Sequence, residues 1–204
     1  AGAASQNMGL MPFYHKNYVR LSWSHTPFTT LNPYGADTKD KFYSYEMTVR
    51  YHFTERWKVN LSQPFSNNIR FSDEGKQSLN GLGDLRVNIF YTLFNKRRVS
   101  KKNTLSGEIG FGAKAPTGQY DPKIHDQNLP ENFNPGTGNW SGMAQMNWVI
   151  QSKKYGLATS TSVLFNGSSS DGYQYGNQVA GNMVAFAKFN IKKKWFLILN
   201  PTFR

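Results

Sequence analysis

Of the side chains able to do chemistry, the four histidines come first: His15, His25, His52 and His125. They fall in an N-terminal segment, at a loop edge, in a strand and in a loop, and no two have the spacing that sets metal ligands on one helix face. No His/Asp/Glu cluster accompanies them, so no metal ligand is assigned. The chain has no cysteine, which excludes a thiolate site and a disulfide framework alike. Membrane phospholipase chemistry would need a lipid-facing Ser–His pair with a third, orienting group. His52 belongs instead to a row of polar residues, with no serine at a matching position. Gly107-Glu108-Ile109-Gly110-Phe111-Gly112 superficially suggests a phosphate-binding loop, but it lies within a strand pattern and opens no helix. No catalytic residue and no cofactor is assigned, and the reading is not an enzyme.

A second set of ionisable groups is more regular. Arg20, Glu46, Arg50, Lys58, Arg86, Glu108 and Lys114 recur on one alternate row of successive segments, joined by Asn60, Asn88, Gln145, Asn147 and Asn182. Buried charges must pair or meet water. Glu46 and Glu108 have arginines and lysines close enough to pair with, leaving a positive excess. Such a row lines either a closed, cross-linked interior or a narrow polar passage whose charges tune selectivity.

The segments that position this row are strands. In Tyr43 to Phe53 one alternate row is Tyr43, Tyr45, Met47, Val49, Tyr51, Phe53 and the other is Ser44, Glu46, Thr48, Arg50, His52. Successive strand side chains point to opposite faces, so one face is apolar or aromatic and the other polar. The length fits a tilted strand crossing a bilayer, about 9–11 residues, and the rings near both ends fit interfacial anchors. A half-buried strand of a soluble sandwich would alternate in the same way. Leu85, Val87, Ile89 and Tyr91 repeat the apolar row against Arg86 and Asn88, with Phe90 and Phe94 as exceptions on the polar row. Further strands are expected at about 17–25, from Trp57, at 105–114, around 140–150, 157–165, 178–189 and from Trp195, making about nine.

Connections decide between sandwich and barrel. Long ones (26–41, 72–83, 116–139, 166–177) alternate with shorter ones (54–56, 95–103, 152–156, 190–194), as in outer-membrane barrels with short periplasmic turns. The net charge of +12 concentrates in the short turns, at Arg56, Lys96, Arg97, Arg98, Lys101, Lys102, Lys153, Lys154 and Lys192 to Lys194. That basic rim either faces anionic lipid heads or is simply solvated. Nucleic acid is not a partner on this reading, because the aromatics occupy the apolar rows rather than interleaving with the lysines. The fold expected is therefore all-β, a transmembrane antiparallel up-and-down β-barrel of outer-membrane type. It is read as residues 17–204, C-terminally incomplete because nine is an odd count, with residues 1–16 a periplasmic or plug-like segment.

Four motifs add a resemblance: Gly81-Leu82-Gly83-Asp84-Leu85; Lys114-Ala115-Pro116-Thr117-Gly118; Pro135-Gly136-Thr137-Gly138-Asn139-Trp140; and Phe165-Asn166-Gly167 with Asp171-Gly172-Tyr173. In this order and spacing, over about residues 80–180, the chain resembles the outer-membrane family labelled as the MetA pathway of phenol degradation, grouped loosely with FadL/TodX-type transporters. The motif residues read as architectural, with glycines and Asp84 at rim turns and Trp140 as an interface anchor. The resemblance implies a Gram-negative outer-membrane, porin-like protein with its N-terminus in the periplasm. The function expected is passive transport of a small solute. Its partners would be outer-membrane lipid and lipopolysaccharide, together with a hydrophobic or aromatic solute. The alternative is a non-transporting structural barrel subunit of a larger envelope protein complex.

Overall fold

The structure, a computed structural model, describes residues 17–30, 37–72, 75–169, 172–191 and 195–199, with side chains as far as Ala187. The expected N-terminal segment, residues 1–16, lies outside the described residues. The strands are β1 (Tyr18–Thr30), β2 (Thr38–His52), β3 (Trp57–Ser72), β4 (Gly75–Leu82), β5 (Leu85–Arg98), β6 (Thr104–Ala115), β7 (Ser141–Gln151), β8 (Tyr155–Asn166), β9 (Gln178–Ile191) and β10 (Trp195–Leu199). All pairings are antiparallel, and nine strands follow one another in the order β1-β2-β3-β5-β6-β7-β8-β9-β10.

The tenth, β4, lies in a stretch read from the sequence as loop. It pairs only with the upper half of β3, from Phe65↔Leu82 to Ser72↔Gly75. The lower half of β3, Trp57 to Ser62, pairs with β5. The change of partner falls at Pro64, which has no N–H to offer, and its carbonyl accepts from the N–H of Gly83. Pro27, within β1, is tolerated because β1 is paired only to β2 among the described residues.

The sheet curls strongly. β2 and β6 are separated by β3 and β5, three strand spacings or about 14 Å in a flat sheet. Yet the Arg50 guanidinium on β2 reaches the Glu108 carboxylate on β6 at 3.0 Å. The polar rows thus crowd together on the concave side, and the alternate rows are spread on the convex side. Tyr45, Met47 and Tyr51 are 48, 47 and 50% exposed there. Burial in β7 alternates residue by residue. The apolar face is the exposed face through most of the sheet, the reverse of a soluble sandwich.

Phe90 and Phe94 part company. Phe90 is fully buried on the concave face, opposite Gly110. A Cβ on Gly110 would overlap the Phe90 ring, so only glycine leaves room for it. A register shift between Thr92 and Phe94 sets Phe94 opposite Gly107 instead, its ring 6.2 Å from that of Trp148 on the convex side. The expectation that Phe94 shares the polar row is corrected by this irregularity, which moves a side chain to the other face. On β7–β9 the concave face turns apolar near the short turns, where Val149, Ala158, Val184 and Phe186 form one buried cluster.

Candidate functional site

The concave face carries a wall of shared ion pairs. Arg50 and Lys58 both meet Glu108, at 3.0 and 2.6 Å, with Arg50 and Glu108 each 1% exposed. Arg50 Nε donates to Asn60 Oδ1 at 2.7 Å, and its guanidinium lies 5.1 Å from the Phe90 ring centre. Asn147 donates to Glu108, and Gln145 to Asn147. Higher up, Arg20 and Arg86 share Glu46 at 3.4 and 2.6 Å. Thr48 donates to the same carboxylate and hydrogen-bonds Ser62. Each glutamate is thus held between two cations, the arrangement that lets a buried carboxylate stay charged. Thr48 and Ser62 were not singled out from the sequence, although they lie on the same alternate row.

Asn88 is buried between Asn60 and Gly112 in neighbouring strands. Asn182 is half-buried on β9, opposite Ser160 and three strands beyond Glu108. Of the apolar row, Phe53 and Ile89 are exposed, and Tyr43, Val49, Leu85, Val87 and Tyr91 are half-buried.

The motif residues, far apart in sequence, converge on Asp84. Its carboxylate accepts from the N–H of Gly118 at 3.0 Å, from the N–H of Thr137 at 2.9 Å and from the Thr137 hydroxyl at 2.6 Å. The Lys114 ammonium is 3.5 Å away and also donates to the Thr137 hydroxyl. A Cβ on Gly118 would stand 2.6 Å from the Gly83 carbonyl carbon, so glycine is what allows these two turns to touch. Gly81, Gly83 and half-buried Pro116 complete the junction, and the Leu85 N–H donates to the Thr117 hydroxyl. Asn139 donates to the Gly167 carbonyl, and Ser141 to Asn166. Gly138 has a positive φ and packs on Tyr120, whereas Trp140 is 65% exposed.

This junction clamps both ends of the 116–140 connection, which folds inward. Ile124, Leu129 and Phe133 are buried against Phe42 and Leu79. Asn68 donates to the Phe133 carbonyl and Arg70 to that of Asn128, while Arg70 also makes a two-pronged contact with Asp40 at 2.8 and 2.7 Å. Glu131, buried, meets His125 at 3.0 Å and accepts from the Tyr175 hydroxyl at 3.3 Å. Burial, with the Glu131 charge beside it, holds the Tyr175 phenol protonated above its ordinary range.

Between the charged wall and the loop lies a cavity of about 370 Å³. Arg86, Lys114 and Asp84 line it together with Phe42, Pro64, Pro135 and Leu164. Such a space can hold a small organic molecule, with polar groups placed to orient it. Among the described residues no group of three or more His, Asp or Glu side chains could hold a metal ion. His25 instead stacks on Tyr43, and the Gly107–Gly112 run lies inside β6.

Among solved structures the chain is similar to the outer membrane channel of Pseudomonas putida F1, at 14% identity and a TM-score of 0.52, over 86% of this chain and 66% of that one. At that identity the likeness carries the fold, an outer-membrane β-barrel wall. No curated protein matches the sequence. Residues 59–201, well over half of the 204, match the family model described as "Putative MetA-pathway of phenol degradation", and the chain belongs to that family.

Proposed function

We propose that the chain forms the wall of a bacterial outer-membrane channel through which a small solute, hydrophobic ones included, crosses passively. The observation that carries this is the inversion of the faces: aromatic and aliphatic side chains stand exposed on the convex side, while charges pair on the concave side around a cavity. Water would not favour that outer face; hydrocarbon would. The likeness to an outer membrane channel and the family's link to phenol degradation support the same reading. The short turns and the end of β5, with exposed Arg56, Lys96, Arg97, Arg98, Lys101, Lys102, Lys153 and Lys154, face the periplasm and its anionic lipid heads, and the N-terminus lies on that side. Lipopolysaccharide and lipid are the surrounding partners. On this reading the chain has no catalytic role and takes no nucleic acid as a partner.

Liposome swelling and planar-bilayer conductance of the reconstituted protein test the proposal. Solute-dependent swelling with discrete conductance steps is expected, and vesicles no more permeable than protein-free ones would contradict it. A second reading, a structural barrel subunit of an envelope complex, is favoured by one observation: the concave wall is densely cross-linked by ion pairs. Stoichiometric co-purification with envelope proteins, together with a sealed lumen, would select it.

A further inference from the structure

Cations outnumber carboxylates in the ion pairs that cross the concave face. These pairs join Arg20, Arg50, Lys58, Arg70, Arg86 and Lys114 to the carboxylates of Asp40, Glu46, Asp84 and Glu108. The loop's own buried carboxylate, Glu131, is turned to His125 and Tyr175. Two of the cations, Arg86 and Lys114, are direct cross-strand partners. Like charges directly opposite one another destabilise a sheet, and both of these line the cavity. Their nearest carboxylates are already committed, Glu46 to Arg20 as well, and Asp84 to three donors of the clamped loop. The remaining lining includes Phe42, Pro64, Pro135 and Leu164.

We propose that the cavity between the 116–140 loop and the charged wall is a binding site for a small organic anion with an apolar body, a monocarboxylate of one-ring size. Its carboxylate lies between Arg86 and Lys114, relieving the juxtaposed like charges. Its hydrocarbon part contacts Phe42, Pro64, Pro135 and Leu164. A charge-assisted contact to two cations in a partly desolvated space is strong enough to set the preference. The inference rests on the channel reading only for the solute's passage; the binding itself stands apart from it.

Benzoate and its neutral isostere benzamide are the probes. Calorimetric titration of the detergent-solubilised protein is expected to give about tenfold tighter binding of benzoate than benzamide, a difference of one charge-assisted contact. Arg86→Gln abolishes the preference, and Glu46 keeps Arg20 and Thr48 as partners in that variant. Lys114→Gln is the second variant, with heat-modifiable migration on gels reporting the folded barrel. Equal binding of the two probes, or a benzoate preference unaltered in both folded variants, overturns the inference. Vesicle uptake separates it from the transport reading. Benzoate binding without flux upholds the site and contradicts the channel, whereas flux of both probes with equal binding of the two in the titration upholds the channel and overturns the site.

Discussion

Asp84 and Thr137, 53 residues apart, are joined twice: one carboxylate oxygen of Asp84 accepts from both the N–H and the hydroxyl of Thr137. The other oxygen takes the N–H of Gly118. One acidic side chain at the start of β5 therefore fixes both the departure and the return of the longest described connection. The inward fold of the 116–140 loop, and with it the cavity, depends on this clamp.

Asp84→Asn removes the charge and turns an amide toward one of these donors. The loss is about 3 kcal/mol, the scale of hydrogen bonds to a charged acceptor and of a buried group left unsatisfied. It acts on the loop before the sheet. Trypsin cleavage after the exposed Lys123 is expected to accelerate while the barrel keeps its heat-modifiable migration. Unchanged cleavage in the variant would show that the loop is held by other contacts.

Glu108→Gln leaves Arg50 and Lys58 facing each other without their shared carboxylate. Breaking a buried pair in this way costs about 3–5 kcal/mol. Replacing all three together by Met, Met and Leu removes the uncompensated charge and is expected to restore most of that loss. Urea unfolding in micelles reads both. A single variant as stable as the parent would mean that water, rather than Glu108, satisfies the two cations.

The strands were legible because one face carries apolar side chains and the other polar ones, which imposes a period of two, as in Tyr43 to Phe53. β4 was not, since Gly75 to Leu82 carries polar residues on both rows and is mostly exposed or half-buried, so nothing imposes alternation on it. Phe94 misled because a register shift leaves no mark in the pattern. Val149, Ala158, Val184 and Phe186 gave no signal for another reason: on β7–β9 both rows carry apolar residues. The charged wall was readable one row at a time. What could not be read was that glycine and Asp turns from residues 81–84, 114–118 and 135–140 meet at one point, because the spacing of turn residues says nothing about which turns touch. Asp40 and Arg70, paired above the wall, gave no signal for the same reason.

Gly110→Ala drives a methyl group into Phe90 and is expected to destabilise the barrel by about 1–3 kcal/mol, the usual cost of overpacking. Phe90→Leu, which shortens the obstruction, lowers the cost of the Gly110 substitution. A double-mutant cycle on unfolding midpoints checks this coupling; additive effects would deny the contact.

Tyr175 offers a pH test. Its folded-state pKa is raised by burial and by Glu131, so its contribution is intact below the ordinary tyrosine range and is lost as the pH rises through and beyond about 10. The stability gap between the parent and Tyr175→Phe is therefore expected to narrow, then reverse, on going from pH 9 to 12. A gap that stays constant with pH would place the hydroxyl in water.

The orientation of the two rows of β2 is the point on which the rest stands, and spin labelling measures it most directly. The chain has no cysteine, so single cysteines can be placed at each position from 44 to 51 and labelled in reconstituted vesicles. Collision with oxygen, which concentrates in hydrocarbon, should peak at 45, 47, 49 and 51 and fall between them, while a water-soluble nickel complex reaches none of those four. Free access of the nickel complex to 45, 47 and 51, or shielding of those positions from both reagents, would contradict a membrane-facing row and the channel built on it.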